Sequence, residues 1–211
     1  MLSLYVSGVA LAISAVIGIP LGALVGLHHF PGRRLVIALF YTGMGLPPVV
    51  VGLFVYLLLS RSGPLGSLNA AWIPALFTPS SMILAQTIIA LPLVAGFTMA
   101  AILGLDPALR LQIRALGATE WQSTWTLIAE ARLAIIVAVA AGFGGIISEV
   151  GAVILVGGNI EHSTRVLTTA IVLETRKGNF DLAMALGIIL LTLSFFSNTL
   201  LLRLQGKSID R

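Results

Sequence analysis

The sequence predicts an all-α polytopic membrane protein with about five transmembrane helices, and three observations predict it. The chain is 58% hydrophobic and only 9% charged over 211 residues, a balance foreign to soluble domains. Its apolar residues gather in runs long enough to cross a hydrocarbon core, which takes about 20 residues of helix. A polar stretch at residues 110–132 interrupts those runs near the middle of the chain. The whole of 1–211 reads as one transmembrane domain.

The first run covers residues 2–27. No basic residue precedes Arg33, and the run is too long for the apolar core of a signal peptide, so it reads as a true span. His28, His29, Phe30, Pro31 and Gly32 then form a tight turn. The second run covers 35–59. Gly63-Pro64, Asn69 and the prolines at 74 and 79 make the next segment a loop with turns. The third run covers 82–103, the fourth 133–156 and the fifth 182–202. Glycine and proline inside such runs are tolerated because neighbouring helices re-satisfy the freed backbone groups.

The charges set an orientation. With the N-terminus outside, the cytoplasmic segments hold Arg33, Arg34, Arg110, Arg114, Arg132, Arg203, Lys207 and Arg211. The external segments hold Arg61, Arg165, Arg176 and Lys177. Eight against four favours an external N-terminus and a cytoplasmic C-terminus. The same scatter of cations at the ends of apolar runs provides no basic face for nucleic acid. Cysteine is absent, which excludes disulfides and thiolate metal sites.

Residues 104–132 form a cytoplasmic segment between the third and fourth runs. Leu109, Ile113 and Leu116 fall at i, i+4 and i+7 and predict one apolar stripe, with Arg110 and Arg114 on another face. Gly117 ends that helix. Thr119 and Gln122 have the spacing of a capping box and start a second helix, on which Trp121 and Trp125 form an aromatic pair. Such a segment is either an amphipathic surface helix or a surface presented to a soluble partner.

The fourth run carries Gly142, Gly145 and Gly151 with Ala138 and Ala141, a surface on which another helix backbone can approach closely. It also carries Ser148 and Glu149. A charged carboxylate at mid-bilayer costs roughly 2.5–3.5 kcal/mol, so Glu149 must face protein, water or a cation. Two roles stay open: a place on a translocation path, or a structural role, neutral or buried against an arginine such as Arg165. Residues 157–180 are more than a loop. Ser163 or Thr164 is placed to cap a short helix carrying Val166, Leu167, Ala170, Ile171, Leu173 and Glu174, either a lid over a pathway or an interfacial helix.

The wording of these segments resembles a known family. Arg114-Ala115-Leu116-Gly117-Ala118-Thr119, followed by Trp121-Gln122 and Ala131-Arg132, resembles the EAA loop of permease subunits in binding-protein-dependent ABC importers. Leu111-Gln112-Ile113 replaces the Glu-Ala-Ala start, and Ala129-Glu130 stands where relatives have a Leu-Pro pair. Gly45-Leu46-Pro47-Pro48-Val49-Val50-Val51-Gly52-Leu53 and Arg61-Ser62-Gly63-Pro64-Leu65-Gly66 look like the molybdate, sulfate and tungstate branch. The stretch from Ile147-Ser148-Glu149-Val150-Gly151 through Gly157-Gly158-Asn159-Ile160 to Thr164-Arg165-Val166-Leu167 looks most like the tungstate permeases.

The resemblance implies a type I ABC importer permease fold with a cytoplasmic coupling helix, in the inner membrane. It implies an oxyanion substrate, tungstate first and molybdate or sulfate as alternatives. It implies a non-catalytic subunit with no cofactor of its own, ATP and Mg being bound by the partner. The implied partners are a second copy of the chain, two ABC ATPase subunits on the cytoplasmic side, an extracytoplasmic substrate-binding protein and the lipid bilayer. Arg114, Gly117, Ala118, Thr119, Glu120 and Trp121 are the candidate ATPase-coupling residues. Ser148, Glu149, Asn159 and Arg165 are the candidates for path or gate.

Two other classes compete. An ATP-independent channel or secondary transporter would use Glu149 as an ion site, but inverted internal repeats are lacking and the 110–132 segment would have no role. An intramembrane enzyme would need convergent polar residues, and Ser148 has no histidine in its span. Gly206-Lys207-Ser208 mimics the tail of a phosphate-binding loop, but Leu201 stands where the first glycine belongs.

Overall fold

The computed structural model describes residues 1–68 and 70–203. Asn69, Lys207, Arg211 and the 206–208 tripeptide lie outside the described residues. The described residues form ten α-helices and no strand: α1 (Leu2–Leu27), α2 (Arg33–Met44), α3 (Pro48–Leu59), α4 (Pro79–Leu103), α5 (Pro107–Ala115), α6 (Glu120–Glu130), α7 (Arg132–Ile147), α8 (Gly151–Gly157), α9 (Leu167–Arg176) and α10 (Phe180–Arg203). Three of them, α1, α4 and α10, are each long and apolar enough to span a bilayer.

The central element is α4, packed against α1 along most of its length and also against α2, α3, α7 and α8. Gly18, Gly22 and Gly26 of α1 recur every four residues and therefore share one face. A Cβ at Gly22 would lie 2.3 Å from the Ala95 carbonyl oxygen, and one at Gly26 would lie 3.0 Å from the Ile102 side chain. The glycines thus let two backbones touch, which in lipid replaces the hydrophobic force that water would supply. Ser14 Oγ adds an interhelical bond to the Thr87 carbonyl at 3.3 Å. On α7, Gly142 meets Val94 and Gly145 meets Leu93, and Ala138 is buried, as expected of a close-approach face; Ala141 of the same set is exposed.

The second and fourth runs are not single rods. The second divides into α2 and α3, bent by 103°. Pro47 and Pro48 lack N–H donors, and proline forces the residue before it out of the helical region. Pro47 is accordingly extended, at φ −62° and ψ 121°. The fourth run divides at Ser148–Val150 into α7 and α8. The two divided runs lie side by side, because a Cβ on Gly52 would strike Ala152 Cα at 2.5 Å and one on Gly151 would strike Val49 at the same distance.

Two apolar clusters fill the ends of the bundle. One joins Val6, Val55, Met82, Ile146 and Val153 near the start of α1. The other joins Leu27, Ile102, Ile113, Leu127 and Ile135 at its end, and so ties α5 and α6 to α1, α4 and α7. Helix α10 stands apart, with 6% of its span buried against 61% for α4.

Gly22→Val should abolish the α1–α4 contact, since its side chain has no room. The expected result is loss of monodisperse protein in detergent, or a fall in thermal midpoint of about 2–12 °C, the scale of about 1–3 kcal/mol of overpacking in a chain of this length. Gly8→Val is the control: nothing lies within 4 Å of its Cβ position, and the midpoint should stay put.

Candidate functional site

The segment between α4 and α7 is built from local chemistry. Asp106 caps α5, its carboxylate accepting from the Ala108 N–H at 2.8 Å. The helix ends in a complete Schellman motif: the Gly117 N–H donates to the Arg114 carbonyl at 2.9 Å, and the Ala118 N–H donates to the Ile113 carbonyl at 3.3 Å. Gly117 takes φ +83°, a value that glycine adopts without steric cost. Thr119 then caps α6. Its hydroxyl accepts from the Gln122 N–H at 3.3 Å, while the Gln122 side chain accepts from the Thr119 N–H at 2.9 Å, the reciprocal capping box.

The apolar stripe expected on α5 holds for Leu109 and Ile113, which join the end cluster. It fails at Leu116, which is 88% exposed. Periodicity assumes a continuing helix, and the glycine turn stops this one at Ala115.

Helix α6 has two unlike faces. Ser123 and Leu127 are buried against the body. Trp121 and Trp125 stand out on the opposite side, 69% and 54% exposed, with ring centroids 5.6 Å apart at 81°. Arg114 and Glu120 form an exposed ion pair across the turn. The six candidate coupling residues, Arg114 and Gly117 to Trp121, therefore make one contiguous surface.

The four path candidates are more dispersed. Glu149 is buried at the α7–α8 break. Its Oε1 accepts from the Ala152 N–H at 2.8 Å, and its carbonyl accepts from Thr168 Oγ1 at 3.0 Å. The carboxylate thus satisfies the first turn of α8, and Arg165 is not its partner. Arg165 pairs instead with Glu161 at 3.3 Å, one helical turn away in sequence. Ser148 is exposed and donates to the Gly144 carbonyl at 2.9 Å. Asn159 takes φ +51° with its Oδ1 buried and without a hydrogen-bond partner.

Helix α9 begins at Leu167 rather than after Ser163 or Thr164. The Thr164 hydroxyl is consumed in the preceding turn, where it accepts from the Ile160 N–H at 2.9 Å and donates to the Gly157 carbonyl. Thr169 and Ser3 take its place, accepting from the Val166 and Leu167 N–H groups at 3.1 and 2.9 Å. At the other end, Glu174 locks the corner between α9 and α10. It accepts from Asn179 Nδ2 at 2.7 Å and from Lys177 Nζ at 2.8 Å. The Asn179 amide first, and then the Lys177 ammonium, hold this carboxyl below its ordinary value of 4.5.

Sequence reasoning missed three long-range or helix-end contacts. The Gln86 amide donates to the Ile146 carbonyl at 2.9 Å and so supports the end of α7. Arg33 Nε donates to the Val25 carbonyl at 2.7 Å, and Arg110 Nη1 donates to the Leu27 carbonyl at 2.9 Å. A lone amide inside an apolar run was the available signal for Gln86. The arginines carried none beyond their place at the membrane edge.

A broken-helix bundle with a two-faced helix hung from one end is the architecture of a type I ABC importer permease. Residues 18–210 match the family described as binding-protein-dependent transport system inner membrane component, and the chain belongs to it. It is 45% identical over 214 residues to the "Probable anion ABC transporter permease protein" of Haloferax volcanii, covering 99% of this chain and 90% of that one. It is 39% identical to the tungstate uptake system permease protein TupB of Peptoclostridium acidaminophilum, covering 97% and 87%. Among solved structures, the MetNI methionine ABC transporter in inward-facing conformations has a chain of the same fold, with TM-score 0.73, 19% identity, and 98% and 94% coverage. The chain is thus an inner-membrane component of a binding-protein-dependent ABC transport system.

Because the Glu174 carboxyl is depressed in the folded chain, its contribution to stability is fully present above about pH 4.5 and is lost as pH falls through the lower folded value. Thermal midpoints taken from about pH 6 down to about pH 3, across that window, should fall more steeply for the wild type than for Glu174→Gln. Parallel curves would remove the clasp from the corner. Glu149→Gln keeps an acceptor for the Ala152 N–H and should keep its thermal midpoint, whereas Glu149→Ala should lose about 0.5–2 kcal/mol, the size of a helix cap.

Proposed function

We propose that this chain is the permease of a tungstate importer, that two copies enclose the path, and that α6 docks each copy onto one ATPase subunit in the cytoplasm. One observation carries the coupling assignment: α6 buries Ser123 and Leu127 on the bundle while presenting the perpendicular Trp121–Trp125 pair outward. An aromatic pair of this kind fills a pocket at little entropic cost. The 110–132 segment then faces the cytoplasm, as the positive-inside count favours, with the N-terminus outside. The tungstate assignment is supported by the tungstate relative, which aligns along nearly the whole chain; molybdate and sulfate are the alternatives within the branch.

On this assignment ATP and Mg belong to the partner. Closure of the ATPase pair pulls α6, and the bundle answers by exchanging inward-open and outward-open arrangements. Two copies are needed because one bundle of this size has too few spans to enclose a gated route, and a two-fold axis places the seam between them. Gly117, Ala118, Thr119 and Glu120 shape the entry of the docking helix, and Arg114 pins Glu120 across the turn. Ser148 and Glu149 lie at the α7–α8 break, Asn159 and Arg165 in the α8–α9 connection, and the four would flank the moving wall. The extracytoplasmic binding protein would seat on the opposite face, where Tyr56, Arg61, Ile73 and Phe77 line a cavity of about 770 Å³.

Purification from the native membrane should yield an ABC ATPase at one copy per permease chain, and the associated binding protein should hold tungstate more tightly than molybdate or sulfate. Recovery of the chain alone, active in vesicles without ATP, would end the coupling assignment. Gly117→Val should insert normally yet lose stimulated ATP hydrolysis, because a β-branched residue at φ +83° is strained even though the space around it is open. Gly117→Asn, which tolerates that backbone, should retain most of it.

A further inference from the structure

We infer that Arg110 is the positioning residue that transmits displacement of the α5–α6 segment to α1, and through α1 to the rest of the bundle. The inference rests on the coupling assignment above and adds the route by which force leaves that segment.

The geometry begins with the carbonyls at the end of α1. The last four carbonyls of any helix lack partners within it. Here the Leu24 carbonyl accepts from the His28 N–H at 3.0 Å, the Val25 carbonyl from Arg33 Nε at 2.7 Å, and the Leu27 carbonyl from Arg110 Nη1 at 2.9 Å. No basic residue lies in the last turn of α1 itself. Two arginines from elsewhere supply the cations that a helix C-terminus favours. Arg33 comes from the adjoining turn, whereas Arg110 reaches back across 83 positions of sequence.

Residues 104–106 join α5 covalently to α4, but between α5 and α1 the remaining contacts are apolar. Leu109 and Ile113 sit in the cluster formed by Leu27, Ile102 and Ile135. Apolar contacts of this sort are non-directional and permit sliding. A charge-assisted hydrogen bond is short, directional and stronger than a neutral one. Arg110 is therefore the element that fixes the register of α5 on the end of α1.

What α1 receives it must pass on. Its glycine face meets α4 at backbone distance along Gly18, Gly22 and Gly26, so the two helices move together. In turn α4 contacts α7 and α8, and the Gln86 amide holds the last turn of α7. A displacement of α5 thereby arrives at the α7–α8 break beside Glu149 without using the covalent path through α6.

The test uses the full transporter in proteoliposomes with its ATPase and binding protein. Arg110→Ala should lower the ratio of stimulated to basal ATP hydrolysis, and the oxyanion moved per ATP, by about tenfold, the scale of one lost charge-assisted bond. Arg110→Lys should recover part of both. The ATPase should still co-purify with Arg110→Ala at wild-type stoichiometry. Arg33→Ala removes equivalent chemistry from the same helix end and should leave the ratio within about twofold.

The absence of cysteine permits a second measurement independent of turnover. Spin labels at the exposed positions Leu24 and Leu111 should keep one mutual distance through the nucleotide cycle in the wild type and show a changing, broadened distance in Arg110→Ala. Unchanged coupling in Arg110→Ala, an equal loss in Arg33→Ala, or loss of the ATPase from the Arg110→Ala complex would each overturn the inference. If the wild-type chain binds no ATPase, the coupling assignment itself fails, a distinct result.

Discussion

Close approach of α1 and α4 is the constraint on which the rest of the structure depends. In lipid the tails surrounding a helix are as apolar as its side chains, so association must come from packing contacts and interhelical hydrogen bonds. Gly18, Gly22 and Gly26 provide the packing by leaving no side chain between the two backbones. Once that pair is fixed, α4 offers its remaining faces to four other helices. Pro92 lies within α4 and would be a liability on an open face. Here it is covered by Gly43, whose missing side chain leaves room for the ring.

The two ends of this pair have different tasks. At the start of α1 the contacts are dense and mutual: Ser81 Oγ and the Phe77 N–H both donate to the Val156 carbonyl, at 3.1 and 2.8 Å, and Ser3 serves α9. At the other end, a small apolar cluster and a few arginine bonds hold a segment whose outer face is uncovered. The bundle is thus firm where the α8–α9 turns close it and compliant where the polar segment hangs, a distribution suited to a moving part on one side.

Much of this was legible in the sequence, and each miss has a physical cause. Hydropathy found α1, α4 and α10 because composition alone decides whether a rod is soluble in lipid. Capping chemistry found Thr119 with Gln122 and the turn at Gly117, because these are local and depend on a few residues. Hydropathy averaged over 35–59 and 133–156 could not show that both runs are divided, since a bend changes direction without changing composition. Pro47-Pro48 was the visible clue. Partner choice was less legible still. Arg165 turned to Glu161 in its own turn rather than to Glu149, and Thr164 gave its hydroxyl to the chain before it rather than to the helix after it. Both outcomes depend on where the backbone goes, which a linear reading does not contain.

Helix α10 is a span left almost bare by the rest of its own chain, and within that chain its exposure frees its sequence. Its environment is set by what surrounds the chain, and the Glu174 corner anchors it at one end. A residue on α4 must have the right shape, because backbone or side chain waits within contact distance on most sides. A residue on the part of α10 that its own chain leaves uncovered meets no such demand from within the chain. Over evolutionary time α4 should accept few replacements and α10 many, so that two transporters with the same mechanism can differ most in the helix that does the least enclosing.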